Sequence, residues 1–168
     1  MEESLITSKC NYNRLNELLA AAKWQEADRE TLQVMLKVAE REQETWLDTK
    51  SMENFPCEDL SIIDQLWIKH SNGHFGFSVQ KRIYESLGVS KQYDELIWKA
   101  FAESVGWRSE KHWLYYEECW YKQLPFAPIC SLTIDIEGWH VLRKFWCGGE
   151  SSGVLFSSLV SKLANCNI

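Results

Sequence analysis

The side chains of this sequence that could do chemistry are poorly arranged to meet at one point. Asp59 and Asp64 are the nearest approach to an acid–base pair. Five residues apart on one helix they point in different directions, which assigns them to capping or to solvent. His70 and His74 flank Gly73. A spacing of four aims two imidazoles at one metal or haem only along an unbroken helix, and the glycine breaks it, so both are read as exposed or capping. Cys10, Cys57, Cys119, Cys130, Cys147 and Cys166 contain no C-x-x-C pair. The opening "MEESLITSKC" is acidic and polar, unlike a secretory signal or transit peptide. The cysteines are therefore expected as free, mostly buried thiols in a reducing compartment, with no zinc site. No G-x-S-x-G, P-loop or G-x-G-x-x-G occurs, and "GHFGF" lacks the lysine and preceding strand that phosphate binding needs. The expectation is a protein that is not an enzyme.

What remains is aromatic. Nine tryptophans occur in 168 residues. "SNGHFGFSVQ", residues 71–80, sets Phe75 and Phe77 on either side of Gly76. Extended backbone puts the two rings on one side, whereas a helix makes them diverge. A glycine between them leaves room for a flat molecule to approach the backbone. Phe55, Trp67, Trp107, Trp113 and Phe126 supply further rings. Plain core packing and an aromatic ligand groove both fit these residues.

Helical periodicity dominates the elements that must position them. Tyr12, Leu15, Leu18, Leu19 and Ala22 form one amphipathic face. "KWQEADRET" is read as a turn, with Asp28 or an earlier polar residue capping a second helix through Leu32, Met35, Leu36 and Ala39. "SMENFPCEDL" breaks the pattern at Pro56, and Glu58 and Asp59 suit the first turn of a helix carrying Leu60, Ile63 and Trp67. That helix stops at Ser71-Asn72-Gly73, and Ser78 or Gly76 starts the next, which Gly88 closes. Tyr93 to Phe101 makes another, ending before Gly106. After Trp113 comes a long aromatic loop in which "LTIDI" alternates like a short strand and "CGGESSG" is a turn. A last helix carries Leu155, Phe156, Leu159, Val160 and Leu163. The fold class is all-α: a single compact multi-helix domain over residues 1–168. The net charge of −6 argues against nucleic acid, and no apolar run approaches the length of a membrane span.

In chain order, "KWQEADRETLQVML", "FPCEDLSIIDQLW", "HSNGHFGFSVQKRIY" and "VGWR" resemble the genomes-uncoupled-four (GUN) domain. The resemblance is strongest over residues 12–113 and continues weakly through "FAPICSL" and "VLFSSLVSKL". It implies a helical, non-catalytic protein that binds protoporphyrin IX or magnesium protoporphyrin IX in a cupped groove. It also implies a partner, the large subunit of magnesium chelatase, and a role as regulator of chlorophyll synthesis. The implied location is cyanobacterial cytoplasm or, for a plastid-encoded chain, stroma, with peripheral membrane association. On this resemblance the groove is built by the turn at Ser71–Phe77 and the long loop after Trp113. Phe75, Phe77, Trp107, Trp113 and Phe126 are its expected walls, and Arg82, Arg108 and Arg143 its rim cations. The chain departs from the family in the late loop. Cys130 and Ser131 stand where a "GHLP"-like motif has Gly and His, and Asp135 and Glu137 lie near the expected basic stretch, followed by Arg143 and Lys144. Carboxylates there repel porphyrin propionates. An open-chain bilin as ligand, or a diverged protein-interaction module that no longer stimulates chelatase, are the alternatives.

Overall fold

Leucines at helical spacing build the first hairpin of the computed structural model, which describes residues 5–88, 93–115, 118 and 152–168. Helix α1 (Asn13–Ala20) buries Leu15, Leu18 and Leu19 against α2 (Trp24–Val38), which buries Ala27, Val34 and Met35. The turn between them is only Ala21–Lys23. Ala22 takes φ 53°, and the Lys23 N–H reaches back to the Leu18 carbonyl at 2.9 Å, a Schellman closure. "KWQEADRET" is thus mostly helix rather than turn, and Asp28 is buried along α2 instead of capping it. The tight closure leaves no residues for a longer link.

A short helix, α3 (Thr49–Glu53), occupies the stretch read as a break. The Asp48 carboxylate caps it, accepting from the Ser51 N–H at 2.7 Å and the Ser51 hydroxyl at 2.6 Å. After Pro56, α4 (Cys57–Ser71) buries Leu60, Ile63 and Trp67 on the face the spacing predicts. The Trp67 indole N–H donates to Thr31 Oγ1 at 3.0 Å and ties α4 to α2. Asp59 and Asp64 share the burial of this helix, contrary to the solvated reading. Asp59 Oδ1 accepts from the Tyr12 hydroxyl at 2.5 Å and from Thr7 Oγ1 at 2.7 Å. Those two donors replace the water lost on burial.

The second half comprises α5 (Phe77–Ser86), α6 (Glu95–Ser104) and a hairpin of β1 (Arg108–Ser109) and β2 (His112–Trp113). The final helix, α7, runs Ser152–Asn165. Asp94 caps α6 through the N–H groups of Leu96 and Ile97. The hairpin, absent from the sequence reading, turns through Glu110 and Lys111 with φ 50° and 68°. These are the positive values that a two-residue hairpin loop uses. Helix α7 buries Phe156, Leu159 and Leu163 and packs on α3 and α5. Buried residues from all seven described helices form one hydrophobic cluster, so the fold is all-α around a single core. Among the described residues no helix is long and apolar enough to cross a membrane. "LTIDI" lies outside the described residues, as does most of "CGGESSG".

The cysteines require a correction. Cys57, at the start of α4, and Cys166, just past α7, are joined by a disulfide with their Cα atoms 5.4 Å apart. They are 109 residues apart in the chain, so spacing gave no sign of the pair. Cys10 is a buried free thiol, as expected, and burial pushes its pKa up. Cys119, Cys130 and Cys147 lie outside the described residues.

Candidate functional site

The turn after α4 answers the question its glycines pose. Asn72 and Gly73 both take left-handed conformations, ending α4, and the Ser71 hydroxyl accepts the Phe75 N–H at 2.8 Å. Gly76 then adopts φ 146° and is buried. A Cβ at this position would lie 2.8 Å from Asp64 Oδ1 and 3.0 Å from Ile68 Cγ1. The missing side chain therefore makes room for α4, not for an incoming flat molecule. Asp64 uses the closeness: its Oδ1 accepts the Ser78 N–H at 2.9 Å and so caps α5 from the neighbouring helix. Burial raises the Asp64 pKa. The amide donors Ser78 and Phe77, and the charge of Arg82, pull the other way.

The two phenylalanines part company around this glycine. Phe77 is fully buried as the first residue of α5, so in this conformation it is core and not an exposed wall. Phe75 stays half-buried, 5.4 Å edge-on from Trp24 and 6.2 Å from Trp67. Trp24 completes that triad and escaped the sequence reading, because the stretch that holds it was taken for a turn. His74 is exposed beside Phe75. His70 is neither exposed nor a cap: its Nε2 lies 2.8 Å from Asn16 Oδ1, linking α4 to α1. Burial, more than the neighbouring charge of Lys69, lowers its pKa.

The second aromatic group surrounds Trp98. Its ring lies 5.6 Å from Phe101, 6.0 Å from Trp107, 5.5 Å from Phe156 and 6.1 Å from Trp113. Trp98, Phe101 and Trp107 are fully buried, which makes Trp107 a core residue too. Trp113 is only half-buried. Gly153 admits α7 to this cluster, since a Cβ there would overlap Tyr93 and touch Trp98.

Of the predicted site residues, the hairpin brings two together. Arg108 and Trp113 are direct cross-strand partners, so their side chains share one face of the ribbon. The Arg108 guanidinium pairs with Glu103 and donates to the Lys111 carbonyl at 2.9 Å. Arg108 Nε and the indole N–H of Trp107 are buried and have no acceptor among the described residues. Arg82 is exposed on α5, and Phe126 and Arg143 lie outside the described residues. Among the described residues no group of three or more His, Cys, Asp or Glu side chains is placed to hold a metal ion. The arrangement offers aromatic faces and N–H donors rather than a nucleophile beside a base.

A Ycf53-like protein of Synechocystis is 36% identical over 105 residues, covering 61% of this chain and 42% of that protein. A chloroplastic protein of Arabidopsis thaliana, named as tetrapyrrole-binding, is 32% identical over 84 residues, covering 49% of this chain and 31% of that protein. Less than half of either relative's own length is therefore matched. The ligand-free structure of Arabidopsis thaliana GUN4 superposes with a TM-score of 0.58 over 92% of this chain and 93% of that one. At 21% identity this likeness speaks for the fold alone. The GUN4-like family profile matches residues 6–146, from ahead of α1 to beyond the hairpin. The chain belongs to the GUN4-like family.

Proposed function

We propose that this chain is a non-catalytic tetrapyrrole carrier whose binding face includes the β1–β2 hairpin. The observation that carries the reading is the Arg108–Trp113 pair, an aromatic face held beside a guanidinium on one side of the ribbon. Membership of the GUN4-like family and the tetrapyrrole-binding name of the Arabidopsis relative support the ligand class. A porphyrin has two broad apolar faces and carboxylates on one edge. Burying about 300 Å² of such a face contributes about 7 kcal/mol gross, and association costs of several kcal/mol offset much of it. Donors at the edge therefore decide affinity. Arg108 Nε and the Trp107 N–H lie buried behind the hairpin without an acceptor among the described residues, each costing about 1–3 kcal/mol, so they are not themselves donors at the pigment edge.

Trp113 is the half-buried, reachable part of the wall, and Phe75 with Trp24 forms a second aromatic edge beside the turn. Phe126 and Arg143 remain proposed contributors from the late loop, and Arg82 a proposed rim cation. Phe77 and Trp107 act from behind, holding α5 and the hairpin in place. The preferred ligand is protoporphyrin IX or its magnesium form, with a bilin as the alternative. Regulation of magnesium chelatase, through its large subunit in a plastid or a cyanobacterial cytoplasm, is the role proposed for the loaded protein.

The test is a titration with protoporphyrin IX, magnesium protoporphyrin IX and a bilin, following tryptophan quenching and pigment absorbance. Saturable binding is expected, weakened about tenfold in Trp113→Ala with an unchanged far-ultraviolet circular dichroism spectrum. No saturation by any pigment at tens of micromolar overturns the reading. Addition of loaded protein to reconstituted magnesium chelatase is expected to raise its rate, and no change there removes the regulatory role while leaving pigment binding standing.

A further inference from the structure

We infer that Cys57 and Cys166 form a redox modification site, a disulfide clasp that an external dithiol opens to loosen the C-terminal helix. The clasp stands apart from the aromatic faces and does not depend on pigment binding.

Three observations carry it. The bond is reachable: Cys57 is exposed and Cys166 half-buried, whereas Cys10, the free thiol described, is shut in the core. Next, Cys57 is the first residue of α4, where the unpaired backbone N–H groups of the first turn favour a thiolate. That makes Cys57 a good leaving group once it is the sulfur released. Finally, the clasp is the covalent element at an end of α7 otherwise held by the packing of Leu159 and Leu163 and by two lysine contacts. Lys81 Nζ donates to the Ile168 carbonyl at 2.7 Å, and Lys162 Nζ donates to the Glu53 carbonyl at 3.1 Å. Long lysine side chains on a surface hold such geometry weakly. Further along α7, Phe156 stacks on Phe101 at 4.6 Å and lies 5.5 Å from Trp98, the ring against which Trp113 rests. A helix that closes the Trp98 cluster thus carries one exchangeable covalent bond at its far end, added to its core packing.

The exchange balances without other reactants. A thiolate of the dithiol attacks Cys57 Sγ and forms a mixed disulfide, and Cys166 leaves as a thiolate and takes up a proton. The second thiol of the reductant, losing its proton, attacks its own partner sulfur and expels the Cys57 thiolate. The protein gains two thiols and two electrons, and the dithiol becomes a cyclic disulfide. In oxidising surroundings the reverse steps restore the clasp.

Removing a cross-link that closes a loop of this length releases chain entropy in the unfolded state. The experiment equilibrates the full 168-residue chain in mixtures of reduced and oxidised dithiothreitol. Alkylation and non-reducing digestion then quantify the Cys57–Cys166 peptide pair, and thermal unfolding and hydrogen exchange are followed on the same samples. The pair is expected in oxidised samples and is lost as reductant rises. Its loss should lower Tm by on the order of 10 °C and speed exchange across 152–168. The double variant Cys57→Ser/Cys166→Ser should match the reduced protein and ignore the reductant, which separates this bond from any formed by the other cysteines. Absence of the joined pair after oxidation overturns the proposal, and so does a Tm and exchange profile unchanged by its loss. If the double variant does not fold, the oxidised and reduced wild-type samples decide alone.

Discussion

Gly76 shows how a single residue sets the local geometry. Its φ of 146° disfavours any side chain, and the space a Cβ would need already holds Asp64 and Ile68. Gly76→Ala should destabilise the protein by more than about 2 kcal/mol, measured by urea unfolding, because backbone strain and collision add. A cost below about 0.5 kcal/mol would mean that α5 starts differently. The same scale separates two aromatic residues that look alike in sequence. Phe77→Ala removes a fully buried ring, so a loss of about 3–5 kcal/mol is expected whether or not a pigment binds. Half-buried Trp113 is the position where affinity and stability can be read apart.

His70 makes one of the specific side-chain contacts between helices. It bonds Asn16 across α4 and α1, and its pKa is lowered in the fold, first by burial and then by Lys69. An imidazole kept neutral by the fold but protonated in the unfolded chain adds stability above its ordinary pKa of about 6.5, which is lost as pH falls through the lower folded value. The Tm of the wild type should therefore drop more between pH 7.5 and pH 5.5 than that of His70→Gln, which keeps an N–H for Asn16. Equal slopes would assign the acid sensitivity to other groups. The periodic helices α1, α2 (apart from its first turns), α4, α5, α6 and α7 were legible in sequence, because their buried faces repeat at three and four residues. Helix α3 and the hairpin were not. Five residues are too few for a period, and the left-handed Glu110 and Lys111 lack the usual Asn-Gly signal.

For the molecule as a whole, ligand binding and stability are linked. A pigment bound at a hundred times its dissociation constant adds about 2.7 kcal/mol to the folded state. In a chain of this size that is a rise in Tm of roughly 5–10 °C, checked by circular dichroism at saturating protoporphyrin IX. No rise under conditions where fluorescence is quenched would mark the quenching as non-specific adsorption.

The sequence by itself determined the helical class, the periodic faces, the turn at Ser71–Gly73 and, through the motifs from "KWQEADRETLQVML" to "VGWR", the family. All of these are written in neighbours a few residues apart, where helical repeat and turn chemistry act. Only the tertiary structure decided which aromatic residues are core and which half-exposed, that Gly76 yields its space to α4, that Arg108 faces Trp113, and that Cys57 meets Cys166. The burial pattern and the disulfide depend on elements far apart in the chain being brought together, while the Gly76 and Arg108–Trp113 contacts depend on turns whose geometry the sequence motifs did not announce. Burial of a shared core has no fixed spacing along the chain, so no local pattern could announce which rings it would close over or that Cys57 would meet Cys166.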